Sequence, residues 1–203
     1  MIIRDLGLQP YEPVCAEMQQ FTAQRDATSE DELWLLEHSP VFTLGRNSKN
    51  EHLLDTGDIP VVQTDRGGQV TYHGPGQLIG YSLLDLRRLG IGVRQMVSVL
   101  ENSIIAVLAD FATKAAARPD APGVYVDDAK VAALGLRVKN GACYHGVSFN
   151  IDMDLTPFAR INPCGFAGMA VTDCRRLGIK LDMQQAQTAF SEALKAQLAK
   201  VLI

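Results

Sequence analysis

Cys164 stands between Pro163 and Gly165 in the segment Arg160-Ile161-Asn162-Pro163-Cys164-Gly165, a setting that fixes a thiol on a tight turn. The next stretch, Phe166 to Val171, is expected to begin a helix. A thiol near a helix N-terminus sits in a field that favours the thiolate, the reactive form. The plainer reading of the same cysteine is a small buried hydrophobe in a turn. Lys130 follows the turn Asp127-Asp128 and opens the apolar run Val131 to Leu136. A lysine there is ordinarily a solvated edge residue. The sharper reading draws it toward the sheet face, where it can exchange protons with a neighbour.

A third group is the segment Arg66-Gly67-Gly68-Gln69-Val70-Thr71-Tyr72-His73-Gly74-Pro75-Gly76-Gln77-Leu78. Its glycines let a ligand approach the main chain closely, and Arg66, Tyr72, His73 and Gln77 bring polar groups to the same loop. The plain alternative is a structural hairpin with a Pro-Gly turn. No Gly-Lys-Ser/Thr follows, and no G-x-G-x-x-G opens a helix, so neither nucleotide fingerprint is present. His145, in Tyr144-His145-Gly146, reads as a hydrogen-bonded structural residue. His38 and His52 read as surface residues and Cys15 as packing. Cys174, flanked by Asp173, Arg175 and Arg176, reads as an exposed competitor for the reactive thiol. The four cysteines form no C-x-x-C pair, which argues against structural zinc.

The elements that position these residues follow from periodicity. Tyr11 to Gln24 carries Val14, Met18 and Phe21 on one helical face. Leu33 to Leu36, Val41 to Leu44, Ile59 to Gln63 and Leu78 to Leu84 read as strands. A helix is expected from Val93 to about Lys114, with Pro119 and Pro122 marking the loop after it. Gly123 to Val126, Lys130 to Val138 and Ala142 to Ile151 read as strands joined at Asp127-Asp128 and Asn140-Gly141. Phe190, Leu194, Leu198 and Val201 share one face of a C-terminal helix. This pattern indicates an α+β fold, a mixed, largely antiparallel sheet with helices packed on it.

The 203 residues suffice for one full core. An apolar fraction of 47% and a net charge of -4 describe a globular chain and argue against nucleic-acid or anionic-membrane binding. The N-terminus lacks the pattern of a secretory signal and no run approaches a membrane span. A cytoplasmic location with reduced thiols is the expectation.

The block from Arg66 to Leu78 resembles the signature of the lipoyl(octanoyl) transferases. Three further blocks agree in order and spacing: Ala121-Pro122-Gly123-Val124-Tyr125-Val126 with Lys130 after it, Leu134-Gly135-Leu136-Arg137, and Arg160 to Gly165. The resemblance covers roughly residues 44 to 171. It implies the fold shared by biotin and lipoate protein ligases, related to the class II aminoacyl-tRNA synthetase core, in a single domain over residues 1–203. It implies an acyltransferase that takes an octanoyl or lipoyl group from acyl carrier protein, in protein lipoylation. The acceptor is a specific lysine on the lipoyl domains of 2-oxo acid dehydrogenases or on the glycine cleavage H protein. By position, Cys164 matches the acyl-accepting nucleophile, and Lys130 the lysine that activates it. Substrate-binding segments are implied at Arg66, Gly67, Gly68, Gln69, Val70, Thr71, Tyr72 and His73, at Ala133, Leu134 and Gly135, and at Gly146, Val147 and Ser148. No cofactor, metal, nucleic acid or membrane partner is implied, and a monomer is expected.

The chemistry suits these residues. Exchange of a thioester between thiols is close to isoenergetic, and aminolysis to an amide runs downhill, so no ATP is needed. A free thiol with a pKa near 8.5 is only a few per cent thiolate at about pH 7, so the cysteine needs a helper. Backbone N–H groups near Cys164 or Gly76-Gln77 are candidates for holding the oxyanion. The small Ala132 and Ala133 leave room for the acyl chain. Three other readings stand beside this one. They are an ATP-dependent lipoate–protein ligase, a thiol hydrolase pairing Cys164 with His145 or His73, and a non-catalytic acyl-binding protein.

Overall fold

The computed structural model describes residues 1–165 and 168–201, and at Cys164 the backbone alone. The first half of the chain forms β1 (Ile2–Gln9), α1 (Tyr11–Gln24), β2 (Glu32–His38), β3 (Val41–Leu44), β4 (Val61–Gln63), β5 (Val70–His73) and β6 (Gln77–Asp85). A short α2 (Leu86–Leu89) and the long α3 (Val93–Ala109) follow. Then come β7 (Ala115–Ala117), β8 (Gly123–Val126), β9 (Ala129–Lys139), β10 (Ala142–Asn150) and α4 (Met183–Val201). Seven strands make one sheet in the order β1-β2-β6-β10-β9-β8-β7, and β4-β3-β5 make a second, smaller one. In the large sheet only the β1–β2 pair is parallel. This is the mixed, largely antiparallel α+β architecture that the hairpin signals indicated.

Period-two alternation sorts β2 and β6 between two cores. Leu33, Leu35, Leu78 and Leu84 face α3 and α4, where Leu100, Ile104, Leu108, Phe190 and Leu194 close the main core. Trp34, Leu36, Ile79, Tyr81 and Leu83 point the other way, onto Val14 and Met18 of α1. The small sheet packs Phe42, Leu44, Val70 and Tyr72 against Met153, Leu155 and Ile161.

Several expectations are corrected. The long helix stops at Ala109, because Ala112 turns left-handed (φ 53°), and Ala115–Ala117 adds an edge strand instead. β1 was missed because no residue of it is buried, and backbone pairing with β2 is what defines it. The fourth strand starts at Val61, two residues later than Ile59. Residues 163–165 form a single 3₁₀ turn. Of the helix expected over Phe166 to Val171, residues 166 and 167 lie outside the described residues. Gly168 to Ala170 are irregular, and Val171 makes a lone bridge, so no helix forms in the described part.

Candidate active site

Lys130 lies at the start of β9, but it is not solvated: 3% of its surface is exposed. β9 outruns β10 here, since their pairing stops at Phe149–Ala132. The segment after the Pro-Cys-Gly turn takes the vacant side. The Lys130 N–H donates to the Ala170 carbonyl (2.9 Å), and the Thr172 N–H donates to the Lys130 carbonyl (2.9 Å). On its other flank Lys130 pairs with Tyr125 of β8. Its Nζ donates to the Pro122 carbonyl at 3.2 Å and lies 5.1 Å from the centre of the Tyr125 ring. Gly123 presses on this side chain, and only a glycine fits. Its φ is 149°, and a Cβ there would stand 2.9 Å from Lys130 Cε and 2.8 Å from the Ala132 carbonyl oxygen.

The turn that bears Cys164 is anchored from its flanks. The Gly165 N–H donates to the Asn162 carbonyl (2.9 Å), and the Asn162 N–H donates to the His52 carbonyl (2.9 Å). Gly165 has φ 79°, and a Cβ on it would meet the Gln69 side chain at 2.4 Å. The thiol turn therefore packs directly on the glycine-rich block, while the chain leaving it pairs with Lys130. The Cys164 side chain lies outside the described residues.

Beside them a cavity opens between β5, β9 and β10. Its lining includes Arg66, Gly68, Gln69, Val70, Thr71 and His73, then Ala133, Leu134 and Gly135, then Gly146, Val147 and Ser148. Gly67 and Tyr72 are not on this wall. Gly67 borders a neighbouring groove, and Tyr72 packs into the small-sheet core. Ala132 belongs to the main core, not to the slot expected of it. Arg66 organises the loop it begins. Its guanidinium donates to the Thr43, Gly67 and Gln69 carbonyls at 2.7 to 2.9 Å and to Thr43 Oγ1.

Three lining residues escaped the sequence reading, Tyr11, Ile79 and Tyr81, and His145 joins them on the wall. His145 carries a left-handed backbone (φ 61°) within a regular strand, which costs about 1–3 kcal/mol. That twist turns its ring onto Tyr144 and Tyr81, and its Nε2 meets Asp65 Oδ1 at 3.0 Å. Asp65 also accepts from the Tyr144 hydroxyl, and these two partners hold its carboxyl below the usual range. His38, expected at the surface, is fully buried, between the Gln9 carbonyl and the Tyr81 hydroxyl (2.7 Å). Burial lowers it to about 4. His73 is buried with Nδ1 on Gln77 (2.7 Å) and Nε2 near Thr43 Oγ1 (3.4 Å), and burial pushes it well down.

The competing thiols are unreactive by environment. Cys174, expected to be exposed, is fully buried, and burial pushes it to about 12. Cys143 is buried, donates to the Ser82 carbonyl and is also raised to about 12. Burial and the nearby Asp65 raise Cys15 to about 11. The backbone donors at Gly76 and Gln77 are engaged as well. The Gly76 N–H binds the Glu37 carboxylate (2.6 Å), and the Gln77 N–H closes the Pro75-Gly76 turn on Gly74.

This geometry meets a consistent set of relatives. Residues 10–195 match the lipoyl protein ligase A/B catalytic domain. An octanoyltransferase of Pseudomonas entomophila (strain L48) is 59% identical over 200 residues, 98% of this chain and 91% of that one. The chain belongs to the octanoyltransferases of this family. The fold extends further than the sequence likeness. A bipartite lipoate protein ligase from Thermoplasma acidophilum superposes with a TM-score of 0.76 at 14% identity, covering 98% of this chain and 83% of that one. Biotin protein ligase from Aquifex aeolicus reaches 0.61 at 12% identity, covering 100% of this chain and 71% of its own. The ligase-like fold expected from the sequence is thus present, and the family is one of acyltransferases.

Proposed function

We propose that this chain moves an octanoyl group from octanoyl-acyl carrier protein to a lysine of a lipoyl-domain protein, through a thioester on Cys164. The acceptors are the lipoyl domains of 2-oxo acid dehydrogenases and the glycine cleavage H protein. The chain acts as one domain and a monomer, in the cytoplasm, with no nucleotide or metal. The observation that carries this reading is the pairing of Lys130 with the segment that leaves the Cys164 turn, while the turn itself rests on Gln69 at the cavity wall.

In the first step the Cys164 thiolate attacks the thioester carbonyl carbon. The bond from that carbon to the carrier sulfur breaks, and the Lys130 ammonium gives its proton to the departing thiolate. In the second step the acceptor amine attacks the enzyme thioester. The carbon–Cys164 bond breaks, and the amine's surplus proton passes to the neutral Lys130. Ammonium and thiolate are restored, and the products are an amide and a free carrier thiol. The cavity lined by Arg66, Gly68 to Thr71, His73, Ala133 to Gly135 and Gly146 to Ser148 holds the acyl chain.

Hydrogen bonding argues against the hydrolase alternative that pairs Cys164 with His73. Both His73 nitrogens have side-chain partners, so this histidine is not poised as a base for Cys164. Incubation with octanoyl-acyl carrier protein and a purified lipoyl domain, without ATP, tests the proposal. An octanoylated lipoyl domain is expected. A requirement for ATP and free octanoate would assign the chain to the ligases instead.

A further inference from the structure

Glu101 is out of place in an apolar helix face. It lies in the middle of α3 beside Leu100 and Ile104, and 7% of its surface is exposed. Burying a carboxylate is costly unless partners compensate. Helix packing does not ask for it, since a methionine or leucine would fill the same face. Its surroundings show what it does instead. Its Oε1 accepts the Gly123 N–H at 3.0 Å. Gly123 is the residue pressed on Lys130 Cε and Nζ, and the preceding carbonyl, Pro122, is the acceptor of Lys130 Nζ. Burial pushes the Glu101 carboxyl up, while the Gly123 N–H and the charge of Lys130 pull it back down. Glu101 and Lys130 thus hold the same two residues, Pro122 and Gly123, from opposite sides, and the charge of Lys130 reaches Glu101.

We propose that Glu101 is a positioning residue for Lys130: its carboxylate fixes the Pro122–Gly123 backbone against the lysine and supplies the ammonium with a buried counter-charge. The inference rests on the acyl-transfer role proposed for Lys130. The counter-charge acts while Lys130 is an ammonium, before it protonates the departing carrier thiolate and again once it has taken the proton of the acceptor amine. Glu101 touches neither substrate nor reacting atoms, and it acts only through Lys130 and the peptide between them.

A double-mutant cycle separates this role from helix packing. The variants are Glu101→Gln, which keeps an oxygen for Gly123 without charge, Glu101→Ala, which removes both, Lys130→Ala, and the double variants. Octanoyl transfer is read as kcat and KM, with the melting temperature of each variant alongside. Glu101→Gln is expected to lower kcat about tenfold and Glu101→Ala about a hundredfold, with KM for the carrier substrate little changed. On the Lys130→Ala background each should add less than about twofold. Full, additive losses on that background would overturn the proposal, as would a Glu101→Gln enzyme with unchanged kcat. If Lys130→Ala itself keeps wild-type kcat, the role of the lysine fails first, and the failure is visible as such. Should Glu101→Ala not fold, the Gln variant and its double carry the same comparison.

Discussion

Gly123 is the residue on which the placement of Lys130 turns. It has no side chain because the lysine needs that space, and its N–H is held by Glu101. Gly123→Ala puts a methyl 2.9 Å from Lys130 Cε and 2.8 Å from a backbone oxygen, so the lysine or the strand must move. If Lys130 is the proton carrier proposed, a fall in kcat of about tenfold or more is expected, since small misplacements of such a group carry costs of this size. Steady-state kinetics check it, and an alanine variant of undiminished kcat would mean that the lysine position is not critical. Little of this was legible in the sequence. Lys130 looks like an edge residue because the strand beside it there is not β10 but residues 170–172, forty positions downstream. Cys174 misled for a related reason: its flanking arginines point outward while its own side chain is in the main core.

At the scale of elements, the histidines report on how the strands meet. His38 on β2 lies 5.9 Å from His73 on β5 and binds Tyr81 on β6, so three strands share one buried polar seam. His38 stays neutral down to about pH 4 in the folded protein, against 6.5 when unfolded. Its folded pKa is depressed, so the unfolded chain binds the extra proton as the pH drops below 6.5. Folding stability from this group is full above 6.5, declines to about pH 4 and levels off below it. The difference is worth about 3 kcal/mol. Urea denaturation should show wild type and His38→Asn converging by up to that amount between pH 7 and pH 4. A constant gap would contradict it. α4 is held by a different contact. Gly80 of β6 leaves room for Phe190, and an added Cβ would meet its ring at 2.5 Å. Gly80→Ala should cost about 1–3 kcal/mol by denaturation, and an unchanged midpoint would contradict this packing.

Helical periodicity located α1 to the residue and the core face of α4, because apolar spacing and burial coincide there. It overran α3, since Phe111 continues the apolar pattern but lies beyond the last helical turn. β1 has no apolar pattern to read. The left-handed His145 was not legible because its side-chain partner, Asp65, is eighty positions away in the sequence.

At the scale of the molecule, the large sheet supplies β9 and β10, the small sheet supplies β5, and the cavity lies where they face each other. The segment bearing Cys164 closes one side by pairing with β9 and resting on Gln69. No single element contains the site, which is why four sequence blocks spread over about half of the chain were needed to see it. The same arrangement suits the proposed chemistry without ATP: an acyl group that arrives already activated as a thioester would need only a thiolate, a proton carrier and a slot.

The central claim is that the acyl group passes through Cys164. It is tested most directly by intact mass after exposure to octanoyl-acyl carrier protein alone, with neither ATP nor acceptor. The account predicts a gain of one octanoyl group, released by hydroxylamine, retained in Cys174→Ala and lost in Cys164→Ala. An adduct that persists in Cys164→Ala and disappears in Cys174→Ala would contradict it.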